Sequence, residues 1–173
     1  PVHLLFDALP GRHLQALTAM APNGKRYLLG LGNYARGDDG VGLHVVEYVW
    51  ARGLDRDFQA LELKNDGMQL LTLFEPGTDR IVVVDCAMID RDPGDYLLFR
   101  PEDVTSRKAA EGISTHEGDV LKLVEMGRAL GLPVPDLQLL AVQPESLEME
   151  MQLSETVAAR VPEYARAAID ALG

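Results

Sequence analysis

The sequence predicts an α/β domain built on a mainly parallel sheet. Three observations carry this. Arg26 to Leu31 is a near-continuous apolar run between turn signals, as suits a strand covered on both faces. Ile81-Val82-Val83-Val84 is β-branched throughout, the residue type that fits a pleated, packed surface. Between and after these runs the apolar period changes to that of helices, and strands alternating with helices mean a parallel sheet with helices on both faces.

In chain order, Leu4-Leu5-Phe6 and the turn signals Pro10-Gly11 and Pro22-Asn23-Gly24 mark residues 1–25 as an N-terminal extension. This extension is expected to be a surface appendage, with His3 and His13 as ordinary surface side chains. The domain proper is placed at 26–173. After the first strand, Val41, Val45, Val46, Val49 and Trp50 repeat at helical spacing until Gly53. Phe58 to Leu63 alternates and reads as the second strand. Met68 to Phe74 reads as a short helix ended by Pro76-Gly77, and the third strand, Ile81 to Val84, ends at Asp85-Cys86.

Tyr96 to Phe99 follows too soon for a crossover helix, so this strand should run antiparallel. Ser114-Thr115-His116-Glu117 matches a capping box, predicting a helix with Ser114 as N-cap that runs to about Leu130. Leu137 to Val142 is the fifth strand. Val157, Val161, Tyr164, Ala168 and Leu172 mark a terminal amphipathic helix that Pro162 should bend or break. The expected fold is thus a five-stranded, mostly parallel sheet with one antiparallel strand, in a three-layer α/β/α sandwich.

The chain has 173 residues, 47% of them hydrophobic and 25% charged, which fits one soluble domain able to bury its own core. A formal net charge of −11 argues against nucleic acid or an anionic membrane as partner. The single cysteine, Cys86, cannot form an internal disulfide, so a reducing, cytoplasmic setting is expected. No apolar run approaches the roughly 18 residues of a membrane span, and no signal-peptide pattern opens the sequence.

Ligands of such sheets bind beyond the carboxyl ends of the strands. There, Gly30-x-Gly32-x-x-Ala35 has the spacing of a relaxed dinucleotide turn. A bound pyrophosphate would then face Asp38 and Asp39, whose charges repel it. Helix capping by the two aspartates, or a cation or acid/base site, remain as readings. Asp85 ends the third strand, where a carboxylate must be solvated, hydrogen-bonded or paired with a cation. Cys86 beside it reads as a small buried hydrophobe. His116 falls in the first turn of a predicted helix, whose dipole favours the neutral, ligating imidazole. Two carboxylates and an imidazole from three loops make a divalent-metal triad suited to nickel or zinc. His44 reads as a helix-surface residue. Gly-x-Ser-x-Gly, His-Glu-x-x-His, paired Cys-x-x-Cys and a P-loop lysine pattern are all absent from the sequence.

Three stretches together resemble the hydrogenase maturation endopeptidases. They are Gly30-Leu31-Gly32-Asn33-Tyr34-Ala35-Arg36-Gly37-Asp38-Asp39-Gly40-Val41-Gly42, then Val82-Val83-Val84-Asp85-Cys86-Ala87, then Gln143-Pro144-Glu145-Ser146-Leu147-Glu148 with Leu153-Ser154 opening a helix. The resemblance implies an aspartic-type processing endopeptidase of phosphorylase/hydrolase-like fold. Its partner would be the large-subunit precursor of a nickel–iron hydrogenase, trimmed at its C-terminal extension after nickel insertion. The nickel would be carried by the precursor and read by Asp39, Asp85 and His116, with Asp39 and Asp85 catalytic. Where the family usually carries an Asp-Gly-Gly-Thr-like run, this chain has Glu62-Leu63-Lys64-Asn65-Asp66-Gly67-Met68. The spacer after the histidine, His116-Glu117-Gly118, is also shorter than is usual there. A monomer is the expected state. Two other readings use the same residues: a nickel-binding sensor or metallochaperone module without protease activity, and a nucleotide-dependent oxidoreductase.

Overall fold

Side chains alternate between the two faces of a strand, and here both faces are covered. Leu28, Val82, Val84, Leu140 and Val142 pack into one buried cluster, and their neighbours Leu29, Ile81, Val83 and Leu139 pack into a second. A computed structural model describes residues 24–103, 114–115 and 120–173 of the protein. Its strands are β1 (Lys25–Leu31), β2 (Gln59–Lys64), β3 (Thr78–Met88), β4 (Tyr96–Phe99), β5 (Ser114–Thr115) and β6 (Asp136–Val142). The helices are α1 (Val41–Ala51), α2 (Gln69–Thr72), α3 (Val120–Ala129) and α4 (Glu155–Leu172), with a 3-10 turn at Gly37–Gly40.

The sheet order is β2-β1-β3-β6-β4. The first four strands in that order are parallel, and β4 pairs antiparallel with β6, as its short connection requires. Helices α1 and α4 supply Val45, Val49, Val161 and Tyr164 to one cluster, while α3 supplies Leu121 and Val124 to the other. The result is three layers, α/β/α. The chain leaves β1 toward β2 on one side, and β3 lies on the other. The topological switch point is therefore between β1 and β3.

Three expectations are corrected. Ser114 does not cap a helix: Ser114–Thr115 is a short antiparallel strand against Ala87–Met88, a second antiparallel element. The helix that follows is described from Val120 to Ala129. Pro162 does not break α4, which runs through it to Leu172. A helix-interior proline costs about 3 kcal/mol, but each buried Val or Leu contributes about 1.5–3 kcal/mol. Val157, Val161, Tyr164, Ala168 and Leu172 are all buried on the other side of the same helix. Finally, Asp38 and Asp39 do not cap α1. They sit in the preceding 3-10 turn, and the N-cap is Gly40, with no side-chain bond closing the helix.

Two glycines set how closely α1 approaches the sheet. A Cβ on Gly30 would stand 2.3 Å from the Gly42 carbonyl oxygen. One on Gly42 would stand 2.3 Å from the Val84 oxygen and 2.4 Å from that of Leu31. All of these are backbone atoms, which cannot rotate away. Gly42→Ala is expected to cost about 3 kcal/mol, read as a lower urea midpoint at unchanged slope.

Candidate active site

The close approach at Gly30 and Gly42 drops the start of α1 onto the carboxyl ends of β1 and β3. Ahead of it, Gly32 holds φ +128°, and a Cβ there would lie 1.8 Å from the Asp39 carbonyl. The Asn33 N–H donates to that same carbonyl at 3.3 Å. The glycines that suggested a phosphate cradle therefore fold the turn back on itself. Eight residues separate Gly32 from the first residue of α1, so the turn does not open directly into a helix as a dinucleotide site does.

Asp38 is fully buried. Its carboxylate accepts from the Ser154 N–H at 2.7 Å, the Glu145 N–H at 2.9 Å, the Ser146 N–H at 3.0 Å and the Ser154 hydroxyl at 2.9 Å. Two main-chain bonds reinforce these, Gly37 N–H to the Glu150 carbonyl at 2.7 Å and Asp38 N–H to that of Ser146 at 3.0 Å. Ser154 is also the N-cap of α4, accepting from Val157 N–H at 3.2 Å. So Asp38 joins the first motif to the third, and both to the head of α4. Its lone pairs are committed to the fold, which removes it as a ligand. Nothing in the local sequence separates it from Asp39.

Asp39 is 4% exposed, at the end of the same turn. Asp85 lies on β3 one residue beyond Val84, which pairs with Gly30 of β1, and opposite Ala141 of β6. The structure thus brings Asp39 and Asp85 to the two sides of the switch point. Burial pushes the Asp85 carboxyl up to about 7; the Cys86 N–H, donating at 2.8 Å, opposes this, and the Asp39 charge adds to it. Cys86 is buried and free. Burial first, then the neighbouring Asp85 carboxylate, hold its thiol well above the ordinary range, so it is not a poised nucleophile.

His116 lies outside the described residues. The strand just before it, β5, sets Thr115 opposite Ala87, two residues past Asp85 on β3. Among the described residues no three His, Cys, Asp or Glu side chains form a metal-binding group. His44 stays on α1 as expected, with Nδ1 3.1 Å from Glu47 and its ring edge-on to Tyr34. Tyr34 donates to Glu62 at 2.6 Å, so the acid that a dinucleotide ribose would need is already engaged. Gln143 is a buried organiser that the motif did not explain. Its side-chain oxygen accepts from the Ile89 N–H at 2.9 Å, and its main chain exchanges 2.8 Å bonds with Gly94 and Asp95. It thereby ties the loop after β3 to the end of β6.

Fold and site together define a class: an α/β/α domain with a carboxylate pair, Asp39 buried and Asp85 half-buried, at the switch point of its sheet. The sequence profile of the hydrogenase maturation protease family matches residues 43–171. The Escherichia coli K12 hydrogenase 2 maturation protease is 29% identical over 136 residues, covering 78% of this chain and 82% of that one. Among solved structures, the [NiFe] hydrogenase maturation protease HybD from Thermococcus kodakarensis superposes with a TM-score of 0.72 at 25% identity, over 86% of this chain and 99% of that one. The maturating endopeptidase HybD from E. coli gives 0.70 at 26% identity, over 86% and 91%. The chain belongs to the hydrogenase maturation protease family. Its activity class is that of an endopeptidase, a hydrolase of peptide bonds. No helix among the described residues is long and apolar enough to cross a membrane.

Proposed function

We propose that this endopeptidase removes the C-terminal extension of a nickel–iron hydrogenase large-subunit precursor once nickel is in place. Nickel arrives with the substrate, and Asp39, Asp85 and His116 are the residues that read it. The observation that carries this reading is the Asp39–Asp85 pair, two carboxylates held across the switch point with Asp85 titrating near pH 7. Such a pair is costly without a cation and becomes favourable when a dication enters. Nickel would turn Asp85 fully into carboxylate and release its proton. Water attack on the peptide bond, activated at the metal or at one of these carboxylates, then frees the extension. Asp38 takes no part in ligation, and the domain responsible is 26–173.

The test is incubation with nickel-loaded precursor, read as C-terminal shortening by mass spectrometry. Asp39→Ala is expected to slow cleavage by about 100-fold. Equal cleavage by wild type and Asp39→Ala would remove Asp39 from the site. Tight nickel binding by the free protein with no cleavage would favour a sensor or metallochaperone instead.

A further inference from the structure

Helices α1 and α4 lie side by side on one face of the sheet, and an open groove of about 660 Å3 runs between them. Tyr48 and Ala51 of α1, Ala158 and Pro162 of α4, and Met151 and Leu153 ahead of α4 line its apolar part. Met151 stands 68% exposed along that margin. Methionine is flexible and polarizable, which suits a surface that adapts to an apolar partner.

We infer that this groove holds an amphipathic, basic stretch of the same precursor polypeptide whose peptide bond is cut, making it a docking subsite beside the cleavage site. Two observations select that occupant. The groove begins close to the candidate site. His44 lines its near end, and a Cβ on Gly40, next to Asp39, would lie 3.6 Å from the His44 ring. The opposite wall continues from Glu150, whose carbonyl holds Gly37. A substrate seated at Asp39 and Asp85 can therefore extend past His44 into the groove.

Charge is the second observation. Glu47 lines the groove, and among the described residues no Lys or Arg does. Glu148, Glu150 and Glu155 are exposed around the segment that forms its wall. Arg52, stacked over Tyr48 at 4.4 Å, stands at the far end of α1. With a net charge of −11 on the chain, the complementary partner carries Lys or Arg. An apolar groove with an acidic rim is the complement of a helix or extended segment with apolar anchors and basic flanks.

This inference rests on the proposed reading of the substrate, so binding and cleavage are measured separately. Binding uses nickel-free precursor and purified protein. Ala158→Arg fills the groove and adds a like charge; Ala159→Arg, about 100° further round α4, serves as control. Both positions are exposed and arginine is a good helix former, so both variants should keep the wild-type melting temperature. Wild type is expected to bind, more weakly as salt rises, with Kd raised at least tenfold by Ala158→Arg and under twofold by Ala159→Arg. Equal affinity for wild type and Ala158→Arg, equal loss in both variants, or no binding by wild type overturns the docking site. Self-association of wild type that Ala158→Arg abolishes at unchanged precursor affinity overturns it too, in favour of a second copy. Groove-dependent binding without cleavage of nickel-loaded precursor would sink the proposed activity and leave the groove standing.

Discussion

Asp38→Ala is expected to lower unfolding stability by about 3–5 kcal/mol, more than any other single-carboxylate truncation in the described fold. The carboxylate is fully buried and accepts four hydrogen bonds, three from main-chain N–H groups and one from a hydroxyl. Removing it leaves four donors facing a void at once. Bonds to a charged acceptor contribute about 1.5–3 kcal/mol each, and their shared acceptor makes the sum less than additive. The N-terminus of α4 adds its dipole to the interaction, since Ser154 is both donor to Asp38 and helix cap.

Asp38→Asn separates charge from shape. Its amide oxygen can replace Oδ2, which takes three of the bonds, but the NH2 then faces the Ser154 N–H. About 2–3 kcal/mol should still be lost. Urea unfolding measures both variants, with exposed Asp170→Ala expected within about 0.5 kcal/mol of wild type. Hydrogen exchange adds a local readout, because the Glu145, Ser146 and Ser154 amides should lose protection first. An Asp38→Ala protein as stable as wild type would mean that the turn and the 143–154 segment are held together by something else.

The layers were legible because burial on both faces leaves apolar runs that need no distant information. What was not legible depended on partners far away in sequence. Asp38 and Asp39 are the same residue type side by side. They acquire opposite roles only because the chain returns 107 to 116 residues later to bond one of them. The extension of β3 through Asp85 to Met88 is likewise non-local, fixed by Ala141 and Val142 of β6 and by β5. At Ser114 a sound local signal lost, since pairing with Met88 displaced a helix cap. The glycines were noticed for the right reason, close backbone approach, but what approaches is α1 and the turn itself rather than a phosphate. Asp85 was singled out because it follows a β-branched run, though β3 continues past it to Met88, and its raised pKa has no sequence signature at all.

Asp85→Asn is expected to stabilise the metal-free protein while slowing cleavage by about 10³-fold. The sign follows from proton binding. Folding raises the Asp85 pKa from 3.8 to about 7, so between those values the native state holds a proton that the unfolded chain has released. Stability therefore falls as pH rises from about 4 to about 7 and stays down above that. The variant has no such loss, since asparagine can still accept from the Cys86 N–H and does not ionise. Its advantage over wild type should be small at pH 4, grow through pH 5 and 6, and level off near 2–4 kcal/mol, on the order of the shift itself, above pH 7. Nickel-loaded precursor should reverse the ranking: the cation stabilises the wild-type carboxylate and has nothing to gain from the amide. A gain in stability that does not depend on pH would show that Asp85 is not the strained acid, and full cleavage by Asp85→Asn would take it out of the chemistry.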